Sequence, residues 1–154
     1  MKIKTILLTL AALFTAVMVC FAADVNMGTW KLNDAKSKIS PGVGKNTTVA
    51  IAAVGDSVKV TVDGIGSDGK PAHNEWTGKF DGKDYPVTGD PVSDTRAYKP
   101  VNDHTQALTE KNGGKITNTG RVVVSADGKS RTVTASRTNP DGKKITFTYV
   151  YDKQ

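Results

Sequence analysis

Two histidines and a few carboxylates are the residues most able to carry acid–base or metal chemistry in this chain. His73 and Glu75 lie two positions apart, a spacing that puts both on one face of a strand, and His104 follows Asn102-Asp103. A metal site needs several convergent ligands, and neither histidine has a Cys, His or carboxylate at a metal-motif spacing. We therefore expect no metal site. His73 and Glu75 fit a solvated strand face, and His104 fits a turn.

Nucleophilic catalysis would need an activated Ser, Thr or Cys beside an oriented base. The single cysteine is Cys20, no Gly-x-Ser-x-Gly elbow occurs, and Gly42-Val43-Gly44-Lys45 lacks the spacing of a phosphate-binding loop. Acidic side chains could still converge in the fold, and the candidates are Asp63, Glu75, Asp84 and Glu110. With none of these constellations visible, we expect a protein that is not an enzyme and uses no cofactor.

Aromatic residues form a second candidate set, suited to binding a molecule rather than transforming it. Their rings supply an apolar wall, and the tyrosine hydroxyls supply hydrogen bonds. The candidate ligand-binding residues are Trp76, Phe80, Phe147, Tyr149 and Tyr151. Small residues predicted on the same inward faces would leave space beside them: Ala72, Gly78, Ala97 and Ala135. Two interpretations stay open, namely a packed core and the lining of a pocket.

The elements that must position these side chains are short β-strands. Valines alternate with polar residues over 57–63, and the stretch 144–151 places its aromatic residues on one face in the same way. Arg131, Val133 and Ala135 likewise share an alternating face. About ten strands are predicted, near 28–32, 46–54, 57–65, 70–80, 83–88, 94–100, 105–111, 115–125, 129–138 and 143–151.

The tripeptide Asp-Gly-Lys occurs four times and marks turns between these strands. The copies lie at 68–70, 81–83, 127–129 and 141–143. Asp-Gly favours a type I′ hairpin turn, in which both central residues have positive φ. A calcium loop would need several acidic oxygens at close spacing, whereas each copy supplies one Asp followed by a cation. We therefore interpret the four copies as turns and not as a binding signature.

Short strands joined by frequent turns predict an all-β, up-and-down antiparallel meander. Closing the meander into a single barrel of about ten strands removes the unpaired edges that an open sheet would expose. The one irregular stretch, Asn33 to Lys45, has room for one helical turn over 34–38 before Pro41 and Gly42 end it. We expect this stretch to cover part of one barrel end.

The N-terminus has the pattern of a secretory signal peptide. Lys2 and Lys4 precede an apolar run, and Cys20-Phe21-Ala22 supplies small residues at the −3 and −1 positions of a cleavage site. We predict a signal peptide over residues 1–22 and one barrel domain over residues 23–154, which places the protein in the periplasm or outside the cell. An uncleaved membrane anchor and a lipoprotein attached through Cys20 are the alternatives to cleavage.

The predicted domain is mildly basic, with both signs of charge interspersed. The formal net charge of the whole chain is +6, and Lys2 and Lys4 would leave with the signal peptide. No basic run is interleaved with aromatic residues, so we expect no nucleic acid partner. After cleavage we expect no stable membrane insertion. Because Cys20 is the only cysteine, the domain would also have no disulfide.

The first strand resembles that of the calycin superfamily, which includes lipocalins, fatty-acid-binding proteins and avidins. The shared feature is the Gly-x-Trp of Gly28-Thr29-Trp30, and the chain is most similar to the exported, lipocalin-like small proteins of bacteria. The resemblance implies that Trp30 closes the barrel floor. In fatty-acid-binding proteins an Arg and a Tyr of the closing strand bind the lipid carboxylate. Here Tyr149 stands where that Arg would be, and Tyr151 matches the Tyr.

The resemblance and the aromatic set together imply a function. We expect a non-catalytic, exported barrel that binds a small, largely apolar molecule in its interior. Because Tyr149 replaces the arginine, a buried carboxylate would lack a cation, and we expect neutral or weakly polar ligands to be preferred. Arg121 and Arg137 could point inward or outward, and an inward arginine would anchor an anion. The alternative is a structural or interaction module of the cell envelope with a filled barrel.

Overall fold

The described part of the chain forms ten β-strands and one short 3-10 helix. The computed structural model describes residues 24–139 and 141–154, so the predicted signal peptide lies outside the described residues. The predicted strand bounds agree with the observed ones to within two residues at every end. The strands are β1 (Gly28–Leu32), β2 (Lys45–Val54), β3 (Ser57–Ile65), β4 (Pro71–Gly78), β5 (Tyr85–Thr88), β6 (Thr95–Asn102), β7 (Thr105–Asn112), β8 (Lys115–Val124), β9 (Ser130–Thr138) and β10 (Lys144–Lys153).

The strands close into a single antiparallel barrel. Each strand pairs with its neighbours in sequence, and β1 pairs with β10, with Leu32 opposite Tyr151. The prediction of an all-β, up-and-down barrel of about ten strands is confirmed. We call the end where β1 begins and β10 ends the floor. The opposite end, the mouth, carries the connections 33–44, 66–70, 89–94 and 113–114, together with residues 139 and 141–143.

The alternation of side chains decides what fills the barrel. Trp30 and Trp76 are both fully buried, and inward residues of neighbouring strands pack around them. One predicted face is wrong, because Arg96 and Tyr98 face inward and Ala97, between them, lies outside the core cluster. Since side chains alternate with a period of two, a one-residue error exchanges the two faces of a strand. The prediction that Ala97 faces inward is the one that the structure overturns.

All four Asp-Gly-Lys copies lie in turns, as predicted, but the turn type differs from the prediction. Gly69, Gly82, Gly128 and Gly142 have φ between +69° and +81°, and in the described chain no residue other than glycine has a positive φ. Type I′ needs positive φ at both central residues and is therefore wrong here. In three copies the Asp Oδ1 accepts a hydrogen bond from the backbone N–H two residues on, at 3.0 Å. The aspartates thus form Asx turns.

The irregular segment 33–44 forms one turn of 3-10 helix and then runs along β10. The helix covers Asp34–Lys36, close to the predicted helical turn. Lys38 then pairs with Thr148 of β10, and Val43 reaches the mouth of the barrel. In the described part of the chain, no helix is long and apolar enough to cross a membrane.

Candidate functional site

The barrel encloses a cavity that extends from its interior to the mouth. Its volume is about 170 Å³, and it continues outward into an open depression of about 770 Å³. Both spaces are bounded at the mouth by Ser67, Pro91, Val92, Asn118 and Arg137. A protein cavity of about 150 Å³ is large enough for benzene. The inner cavity therefore accommodates a group of that size, and the depression extends the space for a longer molecule.

Apolar side chains form most of the inner wall, and part of the predicted aromatic set lies among them. The apolar residues are Val49, Val60, Val62, Leu108, Val122, Val133, Ala135 and Phe147. Phe147, Tyr149 and Tyr151 line the cavity in sequence along β10, with neighbouring ring centroids 5.6 Å and 6.1 Å apart. Contact between these rings and a ligand stays a prediction.

Trp76 and Phe80 lie outside the cavity wall, in an aromatic cluster near the floor. Their rings stack at 5.9 Å, and Tyr98 packs against both at steep interplanar angles. Gly78 leaves no open space, because the Tyr85 ring occupies the position that a Cβ would take. Tyr98 itself lines the cavity. The cluster therefore supports the inner end of the cavity from behind.

Trp30 is buried at the floor and is not part of the cavity wall. Its Nε1 donates a hydrogen bond to the Asn26 carbonyl at 2.8 Å, and the Lys153 ammonium lies 5.0 Å from a ring centroid. The indole therefore has its polar atom satisfied and a cation over its face.

A buried polar network lies along the cavity wall. Of its residues, only Glu110 was among the candidates predicted from the sequence. At its centre is Arg96, whose side chain is 6% exposed. Its Nε lies 2.7 Å from Glu110 Oε1, and its Nη2 donates to Asp90 Oδ2 at 3.0 Å. Asn118 donates to the second oxygen of Glu110, and Asn74 accepts a longer hydrogen bond from Arg96. Two carboxylates therefore neutralise one buried guanidinium.

The Asp90 carboxylate also ties the connection 89–94 to the barrel wall at the mouth. Its Oδ1 accepts from the Val92 N–H at 2.9 Å, and its Oδ2 accepts from the Ser93 hydroxyl at 2.7 Å. Because Asp90 also pairs with Arg96, one side chain joins this mouth segment to the interior network.

Burial shifts the pKa values of the groups that face the cavity. Burial alone lowers the pKa of Arg96, but a neighbouring tyrosine and the carboxylates of Glu110 and Asp90 outweigh it and raise that pKa above its ordinary value. Burial raises the pKa of Tyr149 to about 12 and also raises that of Tyr151. At neutral pH both tyrosines are therefore neutral, and the Tyr149 hydroxyl donates its hydrogen bond to the Gly44 carbonyl at the mouth.

Arg131 is a second guanidinium in the interior, and it changes one expectation. It lies on β9 opposite Tyr151, is 3% exposed and lines the cavity. The alternating face shared with Val133 and Ala135 was the sequence signal for this position. The premise that the interior lacks a cation is therefore wrong, and with it the reason to expect a preference for neutral ligands.

The two arginines whose direction the sequence left open point to opposite sides. Arg121 is exposed on the outer face of β8. Arg137 lines the cavity at the mouth and donates from Nη2 to the Gly42 carbonyl at 3.0 Å. Arg137 is therefore the one of the two that a ligand entering at the mouth would meet.

Three of the remaining chemically capable residues, Asp63, His73 and Glu75, meet on the outer surface of the barrel, away from the cavity. His73 lies on the outer face, with Nδ1 2.7 Å from Asp63 Oδ1 and Nε2 3.6 Å from Glu75 Oε1. The Asp63 hydrogen bond raises the pKa of His73 above its ordinary value. Asp84 pairs with Lys111 elsewhere on the surface. In the described chain, no group of three or more His, Cys, Asp or Glu side chains is arranged to hold a metal ion.

Comparison with known proteins does not place the chain in a family. No protein-family model matches it, and no curated protein sequence matches it. One solved structure that matches is a redesigned β-barrel, mFAP1, bound to DFHBI, with 19% identity, a TM-score of 0.45, and coverage of 83% of this chain and 96% of that one. Another is the redesigned β-barrel b11L5F_LGL, with 14% identity, a TM-score of 0.45, and coverage of 88% and 97%.

Proposed function

We propose that the protein is a non-catalytic β-barrel that binds a small, largely apolar molecule in its interior, outside the cytoplasm. The observation that carries the proposal is the cavity of about 170 Å³, which opens at the mouth and has a mainly apolar inner wall. Removing apolar surface from water favours such a complex by about 25 cal/mol per Å². The Tyr151 hydroxyl, and the oxygen of Tyr149 as an acceptor while its proton is donated to Gly44, can orient a ligand.

The buried carboxylates support binding rather than catalysis. A general acid or base needs a carboxyl group that is available to a substrate. Glu110 is engaged by Arg96 and Asn118, and Asp90 is engaged by Arg96 and by the mouth segment 89–94. Both carboxylates therefore have structural partners, and the interior offers a ligand hydrogen bonds instead of a free proton acceptor.

Export and kinship with the calycin superfamily belong to the same proposal and are supported by the sequence. Residues 1–22 have the basic, apolar and small-residue order of a signal peptide. Gly28-Thr29-Trp30 lies on β1 of a closed ten-strand barrel, where the resemblance requires it. A ligand-binding barrel in the periplasm or outside the cell accounts for both features.

A filled barrel acting as a structural or interaction module is the second candidate. Its support is the aromatic cluster of Trp76, Phe80 and Tyr98, which packs the region near the floor. The open volume at the mouth side favours the binding function over this alternative, because a filled barrel needs no cavity connected to solvent.

A fluorescence titration with the neutral, apolar dye N-phenyl-1-naphthylamine tests the proposed function. Ala135→Leu places a larger side chain in the cavity, and Ala107→Leu makes the same change at a position outside the cavity wall. We expect the wild type and Ala107→Leu to bind the dye equally, and Ala135→Leu to bind it about tenfold more weakly or not at all. Absence of a dye signal with the wild type, or full binding by Ala135→Leu, would contradict the proposal.

A further inference from the structure

Arg131 is a buried cation without a carboxylate partner. It is 3% exposed, its Cζ lies 5.9 Å from the centroid of the Tyr151 ring, and its Nε has no hydrogen-bond partner. The ion pairs of the described residues include Arg96 with two carboxylates but none with Arg131. Residues 1–23 and Pro140 contain no Asp or Glu, so every acidic residue lies in the described chain.

The surroundings of Arg131 make an anion the missing partner. An arginine stays protonated in proteins, so its charge cannot be removed by deprotonation at neutral pH. Burial lowers the pKa of Arg131; Tyr98 and Tyr151 offset this in part, the like charge of Arg96 adds to it, and no carboxylate contributes. Because Arg96 already has Glu110 and Asp90, no acidic group of the interior is left over for Arg131.

We propose that Arg131 binds the anionic group of the ligand, and that the cavity takes small organic acids with an apolar body and a carboxylate. The proposal rests on the proposed function, because it assigns a chemical class to the ligand of the same cavity. Arg131 lies near the start of β9 and therefore towards the floor, whereas the cavity opens at the mouth. The carboxylate enters first and reaches the guanidinium.

The apolar body then occupies the rest of the cavity. Leu108, Val133 and Phe147 line the path from Arg131 towards the mouth, and the outer depression receives a longer chain. A guanidinium presents parallel N–H donors that match the two oxygens of a carboxylate. This arginine comes from β9 and not from position 149 of β10, the place to which the family resemblance pointed.

Calorimetric titration with octanoate and octanamide tests this assignment, since the two differ in charge but hardly in size. Arg131→Gln removes the buried cation, and Arg121→Gln is the matched control on the outer face. We expect the wild type and Arg121→Gln to bind octanoate about tenfold or more tightly than octanamide, and Arg131→Gln to lose that preference. The wild type should also lose octanoate binding as the pH falls through the carboxyl pKa, with octanamide binding unchanged.

The possible results separate this proposal from the proposed function. Equal binding of the two ligands by the wild type, or a retained preference in Arg131→Gln, overturns the role of Arg131 and leaves a binding cavity. If the wild type binds N-phenyl-1-naphthylamine but neither octanoate nor octanamide, the role of Arg131 is overturned as well. Failure of all three probes rejects the proposed function itself.

A stability measurement distinguishes an anion site from a structural arginine. If Arg131 is unpaired until an anion binds, Arg131→Met should raise the melting temperature of the ligand-free protein, because the substitution removes an unpaired buried charge. If the side chain mainly packs against Tyr151, the same change should lower the melting temperature, and the proposal is then overturned. Octanoate should raise the melting temperature of the wild type and leave that of Arg131→Met unchanged.

Discussion

Replacing Glu110 by glutamine should destabilise the barrel, because it removes one of the two charges that neutralise Arg96. Glu110 Oε1 lies 2.7 Å from Arg96 Nε, and the two side chains are 11% and 6% exposed. Leaving a buried charge unpaired typically costs about 3–5 kcal/mol. Since Asp90 still pairs with Arg96 at 3.0 Å, we expect the lower end of that range, a loss of about 3 kcal/mol.

Urea unfolding followed by tryptophan fluorescence measures this loss. With a slope of about 2 kcal/mol per molar urea, the unfolding midpoint of Glu110→Gln should fall by about 1.5 M. Asp56→Asn is the matched control, because Lys79 Nζ also lies 2.7 Å from Asp56 Oδ2, but the Asp56 side chain is 83% exposed. Exposed ion pairs contribute little, so the midpoint of Asp56→Asn should equal that of the wild type within error.

Equal midpoints for the two variants would refute the reasoning. Such a result would mean that water, and not Glu110, compensates the charge of Arg96. A large loss in Glu110→Gln with a lower slope would instead indicate a change in the native or denatured ensemble, and the free energy would then not be comparable.

Three further predictions concern the cavity wall, the outer face and a turn. Burial raises the pKa of Tyr149 from 10.0 to about 12, so the folded state favours the neutral form of this side chain. The free energy of unfolding of the wild type should therefore fall as the pH rises from 10 to about 12. Over the same pH range the urea midpoint of Tyr149→Phe should fall less steeply than that of the wild type. Asp63→Asn should lower the pKa of His73 towards its ordinary value, and an unchanged proton NMR titration of that ring would contradict the hydrogen-bond assignment. Gly128 has φ +69° and no atom within 4 Å of a Cβ position, so Gly128→Val should cost about 1 kcal/mol or more from backbone strain alone, and an unchanged urea midpoint would argue against it.

The strands and their closure were predictable from the sequence because their signals are local. Alternation over 57–63 and 144–151 specifies half-buried strands, and Asp-Gly marks the turns whichever turn type forms. The turn type was wrong because in three copies the Gly N–H closes a four-residue turn from the fourth position, which needs a positive φ at Gly but not at Asp. The closed barrel then follows from the need to pair every strand edge.

The polar interior was harder to predict. In β6 the sequence Thr-Arg-Ala-Tyr has an apolar residue on each face, so the small Ala97 was predicted to face inward and Arg96 was not recognised as an interior residue. The contact of Arg96 with Asp90 and Glu110 joins three separate parts of the chain, and no spacing encodes it. Arg131 differs, since it shares the alternating face of Val133 and Ala135 and was predictable as an inward cation.

Amide NMR spectra recorded during titration with N-phenyl-1-naphthylamine test the central claim most directly, because they locate the bound molecule. A ligand in the interior should shift the amide signals of cavity-wall residues such as Val62, Leu108 and Val133, and should leave outward residues such as Arg121 unchanged. The account predicts saturable shifts confined to the wall. Shifts confined to residues of the outer face would contradict a binding cavity. The absence of any shift at a dye concentration of about 1 mM, which would reveal a complex with a Kd of that order, would contradict it as well.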